Sequence, residues 1–165
     1  MENRNYILTK EQAVQKLQRL ALEIAEQLQG DDTPLIIIGV RNSGLVIAEK
    51  VGAIVKQYIS SSVDVIAGEL NKDVPTDIIL SKQIDFNQKN ILIVDDVANS
   101  GKTLLYMLKP LLAFHPKRIQ TLVLVERMHK LYPVKPDFVG LSVATTSEDH
   151  IHVVVKNGEV EGAYL

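Results

Sequence analysis

A chain of 165 residues, 46% hydrophobic and 23% charged, is sized for one domain with its own core, expected to span 1–165. A net charge of −2 supplies no general attraction to nucleic acid, and the absence of cysteine excludes disulfides and thiolate metal sites. MENRNYILTKEQ at the N-terminus has no apolar core of a secretory signal and no apolar run reaches bilayer length, so the expected setting is the cytoplasm, with no membrane partner.

In chain order, Thr9 caps a helix with Gln12 completing a capping box. Val14, Leu17, Ala21, Ile24 and Leu28 follow at helical spacing until Gly30, which predicts a helix over about 10–29. Leu35 to Ile38 is a short apolar β-branched run, the pattern of a strand buried on both faces. The turn Gly39–Gly44 leads to a second helix that buries Ile47, Val51, Ile54, Val55 and Tyr58. Val63–Leu70 reads as a strand, and Ile78–Leu80 as a short one inside a polar stretch interrupted by Pro75. Ile91–Val94 is again fully apolar. A helix is expected from Ser100-Gly101 through Leu104, Leu105, Leu108 and Leu111, then strands at Ile119–Val125, Phe138–Val143 and Ile151–Val155, with Asn157-Gly158 as a hairpin turn. Alternating strands and helices predict an α/β fold: a doubly wound, mainly parallel sheet flanked by helices.

The strand at Ile91–Val94 runs into Asp95-Asp96-Val97-Ala98-Asn99-Ser100-Gly101-Lys102-Thr103. In a parallel sheet, ligands sit beyond the carboxyl ends of the strands. Backbone N–H groups at a helix start suit phosphate, Gly101 lets the backbone approach it, and Ser100 and Thr103 add hydroxyl donors. Two adjacent carboxylates suit vicinal sugar hydroxyls. Together these residues describe a pocket for a ribose 5-phosphate. The first glycine of a Walker A loop is missing. On the residues alone, a plain strand–turn–helix with solvated acids is the competing reading.

Ile91–Thr103 resembles the PRPP signature of type I phosphoribosyltransferases, with Ser100 in place of the usual threonine. The turn Gly39–Gly44, Val123–Arg127 with His129, and Pro136–Gly140 have counterparts in the same order. The segment 121–129 with Pro133 and Asp137–Gly140 is particularly similar to the PyrR group, uracil phosphoribosyltransferases that also regulate pyrimidine operons. The resemblance implies PRPP and a nucleobase as substrates, magnesium held mainly by PRPP oxygens and water, and a homodimer or higher homo-oligomer. It implies pyrophosphate binding by Val40, Arg41, Asn42, Ser43 and Gly44, with a cis peptide at Arg41-Asn42. It gives catalytic weight to Asp95, Asp96 and Arg41, with the two acids as possible metal ligands, and it places the base on the Phe138 ring and the Val139 backbone.

The sequence also departs from these families. Asn99 and Glu126 stand where purine enzymes carry an aspartate and a lysine, which points to uracil rather than hypoxanthine or guanine. The small mobile hood, expected at about 70–85, holds only Lys72 and Lys82 as cations. On the first helix, Gln18, Arg19 and Leu22 keep one cation of the PyrR RNA face, and Leu22 fits the buried stripe. RNA is therefore disfavoured as a partner, and a PRPP-binding domain without transfer is a further alternative.

Overall fold

The computed structural model describes residues 4–71, 73, 74, 76–146 and 148–165. The capping box forms as expected: Thr9 Oγ1 accepts from the Gln12 amide at 3.2 Å, and Gln12 Oε1 accepts from the Thr9 amide at 2.9 Å. Helix α1 runs Lys10–Gln27 and buries Ala13, Leu17, Leu20, Ala21, Ile24 and Ala25. Two residues expected on its buried side face outward instead: Val14 and Leu22 are 52% and 40% exposed. Their positions lie at the edge of the apolar stripe, where burial depends on what packs opposite.

Strands β2 (Leu35–Val40), β3 (Val63–Leu70), β4 (Ile78–Leu80), β5 (Asn90–Ala98), β6 (Arg118–Arg127) and β7 (Phe138–Val143) form one sheet in the order β4-β3-β2-β5-β6-β7. All neighbours pair in parallel except β4, which runs antiparallel to β3 at the edge. The apolar runs follow from cover on both faces. Leu35 and Ile37 join the core under α1 and helix α2 (Ser43–Val55), whereas Ile36 and Ile38 join a second core with Phe86, Leu104 and Met107. Ile54 is only partly buried and Tyr58, expected in the core, lies beyond the helix and is 49% exposed.

Helix α3 spans only Lys102–Met107 and gives way to a 3₁₀ turn at Lys109–Ala113, where Pro110 cannot continue an α-helix. A second, three-stranded antiparallel sheet joins the two chain ends: β1 (Tyr6–Leu8), β9 (Glu159–Tyr164) and β8 (His152–Lys156) in the order β1-β9-β8. Asn157 and Gly158 make its hairpin turn with φ of 52° and 73°. Within the segment 70–85 expected as the hood, Ile78–Leu80 extends the main sheet. Lys72 and Pro75 lie outside the described residues, and Lys82 is exposed. None of the described helices is long and apolar enough to cross a membrane.

Candidate functional site

The sheet order fixes where a ligand fits. From β2 the chain crosses by α2 to β3 on one side, and from β5 it crosses by α3 to β6 on the other. The crossovers diverge between β2 and β5, and their carboxyl ends leave a crevice there. Into it project the turn after β2 and the end of β5. Strand β5 is longer than its apolar run suggests. Its pairing with β6 continues through Asp95↔Val123, Val97↔Val125 and Ala98↔Glu126, so both acids sit on a hydrogen-bonded strand rather than in a free loop.

Helix α2 starts hard against that strand. A Cβ on Gly44 would lie 2.8 Å from the Val94 carbonyl oxygen and 3.0 Å from Asp95 Cα, so only glycine allows this approach. Arg41 extends the β2 ladder by donating its amide to the Gly68 carbonyl at 2.9 Å, and the Arg41-Asn42 peptide is cis. A cavity of about 570 Å³ opens between these elements, lined by Val40, Arg41, Asn42, Asp95, Asp96, Val97, Asn99 and Thr103. Glu69, Leu70 and Ile151 also line it, three residues that no motif had marked. Glu69 and Leu70 end β3 beside β2, so their position at the carboxyl edge was the available signal.

Asp95 is 8% exposed, whereas Asp96 is half-buried. Asp95 Oδ1 accepts from the Asp96 amide and Asp96 Oδ1 from the Val97 amide, both at 2.8 Å. Burial, followed by the adjoining charge of Asp96, pushes the Asp95 carboxyl well above the usual carboxylate range. A smaller cavity of about 70 Å³ is formed by Asp95 and residues 97–104. Gly101 caps α3 at φ 86°, a conformation that favours glycine. Ser100 Oγ accepts from the Lys102 amide at 3.2 Å, and the Lys102 ammonium lies 5.6 Å from the centre of the Tyr106 ring. Among the described residues no three His, Cys, Asp or Glu side chains converge as a metal cage.

A phosphoribosyl transferase domain model matches residues 3–158 of this chain. The chain belongs to the phosphoribosyl transferase family. It is 32% identical over 154 residues to the bifunctional protein PyrR of Limosilactobacillus fermentum, covering 85% of this chain and 84% of the relative. Against the bifunctional protein PyrR of Clostridium novyi it is 28% identical, covering 99% and 97%. Among solved structures it resembles the hypoxanthine phosphoribosyltransferase of Trypanosoma cruzi, with a TM-score of 0.75, 19% identity, and 84% and 81% of the two chains covered. The hypoxanthine-guanine phosphoribosyltransferase of Bacillus anthracis gives 0.72 at 20% identity, covering 92% and 87%. At such identities these two establish the shared fold.

Some residues expected to act in a phosphoribosyl transferase site are not brought to this crevice. Phe138 is 9% exposed and packs in the core that includes Leu17, Leu20 and Leu124, and the Val139 carbonyl accepts from Arg19 Nη2 at 3.0 Å. They open β7, level with Leu122 and Val123, and neither lines the two cavities at the acids. The Pro136–Gly140 motif has a structural use: Asp137 Oδ2 accepts from the Thr121 amide at 2.9 Å and ties β7 to β6. Ser43 and Gly44 position the turn from α2 rather than line either cavity. Glu126 accepts from Lys130 Nζ and Ser142 Oγ, each at 2.8 Å, and lines another cavity with Tyr132 and Lys135. Burial opposes its ionisation, yet these bonds and the lysine charges hold its carboxyl below the usual range. The Arg19 guanidinium is engaged by Glu23 at 2.8 Å and by the Val139 and Gly140 carbonyls.

Beside the crevice lies a cavity of about 430 Å³ lined by Asn99, Ser100, Arg127, His129, Leu131, Thr145 and His150. It shares Asn99 and Ser100 with the smaller cavity at residues 97–104. The sequence had marked Asn99, Ser100, Arg127 and His129 among these, without placing them around one cavity, and Thr145 and His150 carry no motif.

Proposed function

We propose that this protein transfers the 5-phosphoribosyl group of PRPP to a nucleobase, uracil before any purine, and releases pyrophosphate. The observation that carries the reading is the crevice between β2 and β5, where Arg41, Asn42, Asp95, Asp96, Asn99 and Thr103 line one cavity. The 5-phosphate rests on the amides and hydroxyls of Ser100–Thr103, and Asp96 accepts from the ribose hydroxyls. Arg41 and the amides of the turn before α2 meet the pyrophosphate. As the bond to pyrophosphate breaks and a base nitrogen attacks C1, positive charge grows on the ribose. The Asp96 carboxylate beside it stabilises that charge. No protein nucleophile takes part, and positioning supplies much of the rate. The base enters from the cavity lined by Arg127, His129, Thr145 and His150, which adjoins the phosphate loop.

The half-buried Asp96 carboxylate, with no cage of three such groups among the described residues, fits magnesium, which keeps several waters and binds through one or two carboxylates plus substrate phosphates. Bound with PRPP, it supplies charge neutralisation of the leaving pyrophosphate. The reading carries with it a cytoplasmic location and a homodimer or larger homo-oligomer, the latter checked by light scattering. The relatives named bifunctional protein PyrR support uracil as first acceptor and make RNA the second partner to test. The bonds that occupy Arg19 weigh against RNA. Purified protein with PRPP, magnesium and a panel of bases, read by pyrophosphate release, decides the transfer. No release above background with any of the bases would refute it. Submicromolar, sequence-selective binding of a pyrimidine-operon leader hairpin at physiological salt would instead favour the RNA regulator.

A further inference from the structure

The phosphate loop is braced from below by the 127–135 segment. The Ser100 carbonyl accepts from the Leu131 and Tyr132 amides, both at 3.0 Å. A Cβ at Gly101 would stand 3.4 Å from the carbonyl oxygens of Tyr132 and Val134 and 3.7 Å from Lys130 Cδ. The segment therefore lies directly against the two residues that shape the turn into α3. It has no regular secondary structure between β6 and β7, and its apolar side chains do little to hold it: Leu131 is 86% and Met128 60% exposed. Val134 is partly buried against the second core.

What fixes the segment is polar. Lys130 Nζ donates to Glu126 Oε2 at 2.8 Å and to the Arg127 carbonyl at 3.1 Å, and Ser142 Oγ on β7 donates to the other Glu126 oxygen at 2.8 Å. The paired side chains are 12% and 9% exposed, so solvent does little to screen them. Glu126 forms the last pair of the β5–β6 ladder, level with Ala98 of β5, and faces Ser142 of β7. The chain of contact thus runs from the sheet through Glu126 and Lys130 to the 131–132 amides and on to Ser100 and Gly101.

We propose that Glu126 and Lys130 are positioning residues that set PRPP affinity by holding Ser100 and Gly101 in their phosphate-binding geometry, without contacting PRPP. This rests on reading 95–103 as the PRPP loop. The pair lines a cavity that neither acid lines, so its effect is indirect. Because the two groups act as one unit, losing either should cost about what losing both costs.

The test compares Lys130→Met, which keeps the aliphatic stem, Glu126→Gln, their double variant and Lys130→Arg. KM for PRPP is expected to rise about tenfold in each single variant and no further in the double, with KM for the base and kcat changed by less than about twofold. Lys130→Arg should recover most of the loss. Amide exchange in the ligand-free proteins gives a readout that needs no substrate: the 101–103, Leu131 and Tyr132 amides should exchange faster in Lys130→Met, while those of β2 do not. A wild-type chain that fails to bind PRPP would end the functional reading, while local acceleration would still support the brace. Unchanged exchange at these amides, or unchanged KM for PRPP alongside a lower Tm, would overturn the proposal. Should the single variants not fold, saturating PRPP is expected to slow exchange at Leu131 and Tyr132 in the wild-type protein, and no slowing would overturn it.

Discussion

Asp95 carries a conflict that the adjacent pair of acids makes visible in the sequence but does not weigh. Its carboxyl is buried beside Asp96 and its pKa is raised. The folded chain therefore keeps a proton there at pH values where the unfolded chain has lost it. The native state binds more protons from the ordinary carboxylate range up to the raised value, so stability falls as pH climbs through that window. Asp95→Asn removes this loss. The ligand-free variant should melt higher than wild type at neutral pH and show a flatter Tm above about pH 5. Its affinity for PRPP, measured by calorimetry with magnesium, should fall, and a variant melting lower at pH 7 with affinity intact would contradict both roles. Base choice is also decided at single residues. Two positions argued for uracil in the sequence, but Glu126 is turned to Lys130 and Ser142, which leaves Asn99. Asn99 lines both the cavity of the acids and the neighbouring one. A neutral amide cannot take the imidazole proton of a purine. Asn99→Asp is expected to raise hypoxanthine turnover on the order of 10²-fold with uracil changed little. An unaltered purine to uracil ratio of kcat/KM would remove Asn99 from the specificity argument.

At the scale of elements, the sheet strands and the first two helices were legible because their periodicities are strong. The apolar runs at β2 and β5 have no polar face, which only cover on both sides explains. Two boundaries were not legible. The strand carrying the acids continues to Ala98 because β6 offers it a pairing partner, and α3 ends early at Met107, ahead of Pro110. Phe138 illustrates a different limit. A motif names neighbours in sequence, whereas the register Leu122↔Phe138 and the packing of α1 decide that the ring is core. The close seating of α2 on β5 gives the prediction for this scale. Gly44→Ala drives a methyl into the Val94 carbonyl and Asp95 backbone, contacts that must be relieved by moving the helix. The expected cost is about 1–3 kcal/mol of stability, read by urea unfolding. Because the helix carries the Asn42 turn, PRPP affinity should fall as well. A variant as stable and as tightly binding as wild type would show that this contact does not set the crevice.

For the whole molecule, the two chain ends meet in one small sheet in which β9 is the central strand, paired with both β1 and β8. Val160 and Ala163 of β9 and Leu8 of β1 belong to the core under α1. Ile151, just before β8, lines the cavity of the acids. Removing 157–165 strips β1 and β8 of their shared partner and uncovers α1. A loss of about 3 kcal/mol or more is expected, lowering Tm by roughly 6–12 °C, since both core side chains leave a void. A truncated chain with wild-type Tm in a calorimetric scan would mean that the small sheet is an appendage rather than part of the core.

The sequence by itself determined the elements and the chemistry of one loop, because helical period, apolar runs and the order Asp-Asp to Ser-Gly-x-Thr are local properties of neighbouring residues. Only the tertiary structure decided what meets that loop. Strand order puts the crevice between β2 and β5, register sends Phe138 inward, and contacts between residues far apart in sequence bring Glu69 and Ile151 to the acids. Such encounters depend on which faces bury against each other over the whole fold, and no short stretch of sequence contains that information.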